Sequence, residues 1–258
     1  MQNPTIRILG AGPAGASAAI AAALEGARVE IADKSAFPRH KVCGEFFSPG
    51  AIPVLDRLGV RFFEAGAVPI RRMSIHFGAR KAKSAALPET AWGLSRRTFD
   101  SLLHTRLAEL GVAIQRGSLA VPHVTAAGRD AVDRARGKRL FGFKAHYRGP
   151  VNDAVELYFF EGCYVGVCAI EGGLTNVCGL GPESVLKRFA FEFDALIAKS
   201  APLKERLHGA TREIDWLATG PLVFGNRFRE RVREGVFAAG DALSFVDPFT
   251  GSGLLTAV

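Results

Sequence analysis

The feature that most constrains this chain is a glycine-rich turn between an apolar strand and an alanine-rich helix. Thr5 to Leu9 is short and apolar and runs straight into Gly10-Ala11-Gly12-Pro13-Ala14-Gly15. Ala14 to Leu24 reads as a helix that Gly26 ends, and Ala27 to Ala32 reads as a second strand closing with Asp33. Gly10 permits the tight turn, Gly12 lets the backbone approach a pyrophosphate, and Gly15 lets the helix pack close to the strand. The N–H groups and positive dipole end of the helix then face the phosphates. Asp33 lies 18 residues beyond Gly15 (33 − 15), at the strand end where a carboxylate can accept both hydroxyls of a ribose. An acid there argues against a 2′-phosphate and so against NADP at this turn. A lone GxGxxG is weak, but here the strand before, the helix after and the acid all agree. Gly10, Gly12, Pro13, Ala14, Gly15 and Asp33 are therefore candidate dinucleotide-binding residues, and the turn alone leaves NAD and FAD both open.

Three later segments bear on that choice. The run from Asp33-Lys34 through Phe37-Pro38-Arg39-His40-Lys41 to Cys43-Gly44-Glu45 resembles the "EK–FPR–K–CGE" segment of the geranylgeranyl-reductase family of flavoproteins, in the p-hydroxybenzoate hydroxylase superfamily. Val236 to Ala242, with Gly240-Asp241 at its end, resembles that family's second flavin motif. Asp247-Pro248-Phe249-Thr250-Gly251-Ser252-Gly253 resembles the "DP–GxG" turn that caps a helix beneath the flavin ring. Arg96-Arg97-Thr98-Phe99-Asp100 looks like the family's "R–FD" helix start, and Leu140 to Gly149 like its "FGFKAH" strand. The resemblance implies an α/β fold, a Rossmann-type FAD-binding domain with an inserted antiparallel β-sheet substrate domain. Residues 1–139 and 211–258 would form the FAD-binding part and 140–210 the substrate platform.

FAD is the cofactor so implied, and it would be held non-covalently. Lys34, Arg39, Cys43, Gly44, Arg96, Gly240, Asp241, Pro248, Gly251, Ser252 and Gly253 join the glycine turn and Asp33 as candidate cofactor-binding residues. Arg39 reads as a pyrophosphate counter-charge. Asp241 follows an apolar strand and a glycine, so its carboxylate emerges at a strand's C-terminal edge, where it can accept from a polyol. By resemblance that polyol is the ribityl chain; the structural alternative is a helix N-cap. Gly251 and Gly253 would leave N–H groups open to the N1/O2 edge of the ring, which becomes anionic on reduction. Cys43 is either a small packed residue or, by resemblance, a neighbour of the isoalloxazine. Among the six histidines, only His146 sits on a strand predicted to face the substrate, with a structural role as the alternative. His40, His76, His104, His123 and His208 show no partner pattern.

Between the motifs, Leu140–Tyr147, Ala154–Phe160, Cys163–Ile170 and Leu174–Leu180 read as four strands, flanked by a helix from Pro182 to Ser200. Any of the 19 phenylalanines that face the flavin would favour a small apolar or aromatic substrate. Three departures from the family pattern stand out. Ala127-Gly128 replaces an Asp-Gly linked to flavin and NAD(P)H, so direct electron delivery by NAD(P)H is in doubt. The segment between Gly111 and Ala126 is short, and the sequence ends at Val258 within the helix expected after Gly253; both make it look shortened. A reductase on an apolar substrate, an aromatic monooxygenase and a non-catalytic FAD-binding module are the competing readings.

Bulk properties narrow the partners. A net charge of +8 favours anionic partners such as a dinucleotide pyrophosphate, and permits peripheral association with an anionic membrane surface. The Lys and Arg residues are scattered, with no basic run interleaved with aromatics, which argues against nucleic acid. No stretch reaches the roughly 20 apolar residues of a membrane-spanning helix. The residues from Met1 to Ala23 serve the nucleotide turn better than a signal peptide. Four cysteines without a CxxC pair or zinc spacing suit a reduced, cytoplasmic protein without a metal site. Nothing specifies an oligomeric state. If the turn is assigned correctly, Gly12→Val abolishes FAD binding in a fluorescence titration, because a branched side chain stands where the pyrophosphate approaches. An unchanged affinity would count against the assignment.

Overall fold

The structure is a computed structural model that describes residues 4–78, 80–128, 139–222 and 235–258. In chain order the strands are β1 (Thr5–Leu9), β2 (Arg28–Asp33), β3 (Phe46–Phe47), β4 (Val68–Phe77), β5 (Lys83–Gly93), β6 (Ile114–Arg116) and β7 (Val124–Thr125). They continue with β8 (Leu140–Arg148), β9 (Ala154–Phe160), β10 (Cys163–Ile170), β11 (Leu174–Pro182), β12 (Thr211–Arg212), β13 (Leu217–Leu222) and β14 (Phe237–Ala238). The α-helices are α1 (Pro13–Leu24), α2 (Ile52–Leu58), α3 (Arg96–Glu109), α4 (Glu183–Arg188), α5 (Phe193–Ile197) and α6 (Ala201–Arg206).

Two sheets divide the work. The first has the order β14-β7-β1-β2-β6, and all its pairings are parallel. Parallel strands need crossover connections, and α1 supplies the one between β1 and β2. Its alanines allow the close approach: Ala16, Ala19 and Ile20 are fully buried, in one core with Ile8 and Ile31 of the sheet and Phe99, Leu103 and Leu107 of α3. The Rossmann-type opening is therefore present as the glycine spacing requires.

The second sheet has nine strands, in the order β12-β8-β11-β10-β9-β4-β5-β3, with β13 also on β8. It is mixed rather than antiparallel, because β4 runs parallel to β9. Its strands come from 46–93 and 211–222 as well as from 140–182, so the sheet reaches outside the 140–210 span. Segments 129–138 and 223–234 of the expected FAD-binding part lie outside the described residues. Two strands, Ala154–Phe160 and Cys163–Ile170, have the bounds read from the sequence; the flanking two each run slightly longer.

The single helix expected over Pro182–Ser200 is instead α4 and α5, separated by Phe189 to Glu192. Ala190 and Phe191 there adopt positive φ, 51° and 60°. Helix cannot continue through that conformation, and the break lets Phe191 meet Phe141 edge-on at 5.6 Å. Helices α4 to α6 cover one face of the second sheet, burying Phe143, Val165, Val177 and Tyr158 with Leu186, Leu196 and Leu203. The other face is turned toward the loop that follows β2. Among the described residues no helix is long and apolar enough to cross a membrane.

Gly93 tests this packing. A Cβ there would lie 1.9 Å from the Ala169 carbonyl oxygen, a backbone atom that cannot step aside without moving β10. Gly93→Ala should cost about 1–3 kcal/mol in urea denaturation. A change below about 0.3 kcal/mol would show that β5 and β10 pack less closely than this.

Candidate cofactor and substrate site

The glycine turn has the geometry its spacing predicts. Gly10 has φ +102, and a Cβ there would fall 2.3 Å from the Ala126 carbonyl oxygen. A Cβ on Gly15 would fall 1.8 Å from the Gly10 carbonyl oxygen, so helix and strand meet in contact that only glycine permits. Gly12 differs from both. It caps α1 in extended backbone, Pro13 opens the helix, and nothing lies within 4 Å of where a Cβ would be. The Gly12 face is an open cradle at a helix N-terminus, and a valine there would fill it without disturbing the protein.

Asp33 stands where expected, buried at the end of β2, but its oxygens serve the backbone. Oδ2 accepts the Ala11 N–H at 2.8 Å and Oδ1 the Ser35 N–H at 2.7 Å. A carboxylate has capacity for further donors, so these bonds leave room for a ribose. That Asp33 also secures the turn has no signature in the local pattern. Lys34 beside it is exposed.

From Ser35 to Glu45 the chain crosses between the two sheets. The Arg39 guanidinium lies 5.0 Å over the Phe37 ring, and its Nε is buried with no protein partner. A buried, unsatisfied donor of this kind calls for an anionic partner. Burial, and then the charges of Arg96 and Arg39, push Lys41 down to about 8. Arg96 itself is paired with Asp100 one turn along α3, at 3.0 and 3.2 Å, both buried. Cations thus concentrate beside the cradle without an equal number of carboxylates.

Glu45 anchors this loop. It is fully buried and holds a positive φ of 55°. Its Oε1 accepts the Arg96 backbone N–H at 2.6 Å and pairs with Lys144, while Oε2 pairs with His146 Nε2 at 2.7 Å. Lys144 also donates to the Lys41 carbonyl at 3.1 Å, and Asn176 Nδ2 donates to the Cys43 and Gly44 carbonyls at 3.1 and 2.8 Å. Cys43 and Gly44 are therefore pinned against β8 and β11, with Cys43 Sγ accepting the Glu45 N–H at 3.4 Å. His146 has the structural role: it is buried and paired rather than open to a substrate. Four histidines that showed no pattern in the sequence also have partners, His76 among them through the Ser74 hydroxyl at 3.1 Å. His104 Nε2 lies 2.7 Å from the Ala11 carbonyl, His123 accepts the Arg7 N–H at 3.1 Å, and His40 packs edge-on against His146 at 5.3 Å. The thiols of Cys163, Cys168 and Cys178 are all raised by burial, as inert packed residues are.

The late motifs close on the early ones. Gly240 has φ +60, and a Cβ there would lie 2.7 Å from Ala14 Cβ, so the Gly-Asp turn sits directly on the first turn of α1. Asp241 follows on the exposed side, inside the turn Gly240–Ala242. Pro248 opens a second turn in which Asp247 accepts the Phe249 N–H at 3.0 Å, and Gly251, at φ +65, abuts the Phe46 ring. The Ser252 hydroxyl bonds Thr250 within the turn, and Gly253 is exposed. The helix expected after Gly253 is a single turn, Leu255–Ala257.

Beyond the loop, the same face of the second sheet is aromatic. The Phe159 ring stacks on Phe77 at 4.8 Å, and Phe249 from the late turn lies 5.8 Å from Phe159 and 5.9 Å from Tyr164. On the neighbouring position of that face, Gly166 has only ordinary contacts around its would-be Cβ, which keeps the face low beside Tyr164. The Tyr164 hydroxyl is buried with no protein partner.

The Glu45 contacts generate a pH and stability prediction. Burial opposes ionisation most, but the His146 hydrogen bond and the Lys144 charge outweigh it and hold the carboxyl below its ordinary value. The stability this supplies is complete above the usual carboxylate range and is lost as pH falls through the lower folded value. Glu45→Gln leaves Lys144 buried without its counter-charge and should cost about 3–5 kcal/mol. Its urea stability should also fall less steeply than that of the unaltered protein as pH drops below about 5. Equal acid sensitivity in both proteins would refute this role for Glu45.

No family model matches the chain. It is 30% identical over 131 residues to a menaquinone reductase of Mycolicibacterium smegmatis, a match covering 48% of this chain and 32% of that one. It is 32% identical over 120 residues to the flavin-dependent halogenase armH3 of Armillaria mellea, covering 43% and 24%. The matched region thus spans a third or less of the length of these relatives. Among solved structures, the flavin-dependent brominase Bmp2 superposes with a TM-score of 0.79 at 19% identity over 99% of this chain and 76% of its own. The myxobacterial chondrochloren halogenase CndH gives 0.80 at 20% identity, over 100% and 72%. These likenesses establish the fold and do not single out the geranylgeranyl reductases. The chain has the p-hydroxybenzoate hydroxylase-like fold that these flavin-dependent halogenases share.

Proposed function

We propose that this protein is an FAD-dependent oxidoreductase acting on an apolar, ring-bearing substrate held between the cofactor cradle and the aromatic face of the second sheet. The observation that carries the reading is convergence. The open Gly12 face, the unpartnered Arg39 Nε, Gly240 against Ala14 and Gly251 against Phe46 all frame one cradle. Names given to similar proteins point the same way, since a reductase, halogenases and a peptidyl tryptophan dihydroxylase are among them.

When bound, the flavin supplies the electron or hydride transfer, and the protein supplies binding and placement. The Gly10–Gly15 turn and the N-terminus of α1 receive the pyrophosphate, with Arg39 and Lys41 as counter-charges. Asp33 takes the adenosine ribose and Asp241 the ribityl chain. The turn around Gly251 and Gly253 carries N–H groups for the N1/O2 edge. Phe159, Tyr164 and Phe249 present an apolar, aromatic wall that excludes water and suits a ring. Few acid–base residues are needed for such chemistry.

Two reactions fit. Reduction of an unsaturated prenyl lipid agrees with the motif resemblance, and the net charge of +8 would let the domain work at an anionic membrane surface. Oxygenation or halogenation of an aromatic ring is favoured by the fold likeness to halogenases and by the aromatic wall. NAD(P)H as donor has no support from Ala127-Gly128, and a separate reductase would serve equally.

The test uses FAD-loaded protein reduced with dithionite under anaerobic conditions. Reoxidation on adding an unsaturated prenyl lipid identifies the reductase. Conversion of a phenolic substrate that requires oxygen, with or without bromide, identifies the oxidative enzyme. Flavin-loaded protein that acts on neither overturns the proposal.

A further inference from the structure

We infer that His104 is a positioning residue for the cofactor's pyrophosphate, acting through the Ala11 carbonyl; the inference rests on the FAD reading above. His104 lies on α3, 93 residues from the turn, and its Nε2 is 2.7 Å from the Ala11 carbonyl oxygen. A carbonyl can only accept, so Nε2 carries the proton. A peptide unit is planar and trans, with its N–H and C=O on opposite sides. Holding the Ala11 carbonyl toward α3 therefore aims the N–H of the same unit, that of Gly12, away from α3.

The preceding unit is held as well. Its N–H belongs to Ala11 and is bonded to Asp33 Oδ2 at 2.8 Å. Two successive peptide planes at the mouth of the cradle are thus set by two side chains, a carboxylate from β2 and an imidazole from α3. Glycine at 10 and 12 leaves both planes soft, and these bonds remove that softness before a ligand arrives. Pre-ordering of donors is what converts a flexible glycine turn into an anion site of defined geometry.

His104 is itself fixed. The Phe37 ring meets it edge-on at 4.5 Å, and the same phenyl ring carries the Arg39 guanidinium at 5.0 Å. One stack of three side chains links the Ala11 carbonyl to the cation with the unpartnered Nε. The turn and the counter-charge are therefore registered to each other through His104.

Three variants and two ligands test this. Gln places a donor where His Nε2 stands, whereas Asn is too short and Leu has none. The readouts are dissociation constants for FAD and for ADP, which carries the pyrophosphate without the flavin ring, with thermal unfolding as a control. His104→Asn and His104→Leu should weaken both ligands by about tenfold, the loss of one hydrogen bond's worth of ordering. His104→Gln should stay within about threefold of the unaltered protein. ADP or FAD binding unchanged in Asn and Leu, or lost equally in Gln and Asn, overturns the inference. If the unaltered protein binds neither ligand, the FAD reading itself fails.

Discussion

The buried Glu45 carboxylate is the constraint on which the rest of the structure depends. It takes hydrogen bonds from two elements that the sequence keeps far apart: α3 through the Arg96 N–H, and β8 through Lys144 and His146. Burying one carboxylate with one lysine is costly in isolation, and such pairs rarely add net stability over an apolar core. Their value here is placement. The loop from Ser35 to Glu45 has little regular structure of its own, so its position between the sheets comes from side chains at its end. With Asn176 holding the Cys43 and Gly44 carbonyls, the loop becomes a fixed floor rather than a mobile connection.

A second anchor works at the same end of α3. Glu171, in the β10–β11 connection, accepts the Ser95 N–H at 2.8 Å and the hydroxyls of Ser95 and Thr98 at 2.5 and 2.6 Å. It satisfies donors at the N-terminus of α3, where a negative charge also meets the favourable end of the helix dipole. Because α3 carries His104 on the same body, the second sheet, the helix and the glycine turn move together. The two sheets are therefore coupled by two polar anchors at the N-terminus of one helix, while apolar contacts fill each layer separately.

Much of this was legible from local pattern. The Gly10–Gly15 turn, α1 and the two strands at 154–170 are set by spacing over a few residues, and spacing is what a sequence displays. The break at Phe189–Glu192 was not, because the helical pattern continues through it. What stops the helix is Phe191 finding Phe141, a contact on a distant strand. The parallel pairing of β4 with β9 is invisible for the same reason: its register joins residues about 80 positions apart. Asp33 was readable as an acid at a strand end, but not as the partner of the Ala11 N–H. The most consequential omission was His104. A histidine on an amphipathic helix has no signature that separates a ligand of the backbone from a surface residue.

The site's polarity follows from where these anchors stand. Glu45 neutralises Lys144, and Asp100 neutralises Arg96, so the buried charges on the sheet side are balanced. Arg39 and Lys41 lie closer to the cradle, and no carboxylate bridges to either are present among the described residues. The surplus of positive charge is thereby confined to the pyrophosphate side, where burial first, and then the Arg96 and Arg39 charges, draw Lys41 down to about 8. Across the loop, Phe159, Tyr164 and Phe249 offer no formal charge at all. A cofactor with an anionic middle and a flat apolar ring at one end meets both surfaces in the order the fold presents them, which is the strongest physical reason for reading the two as one site.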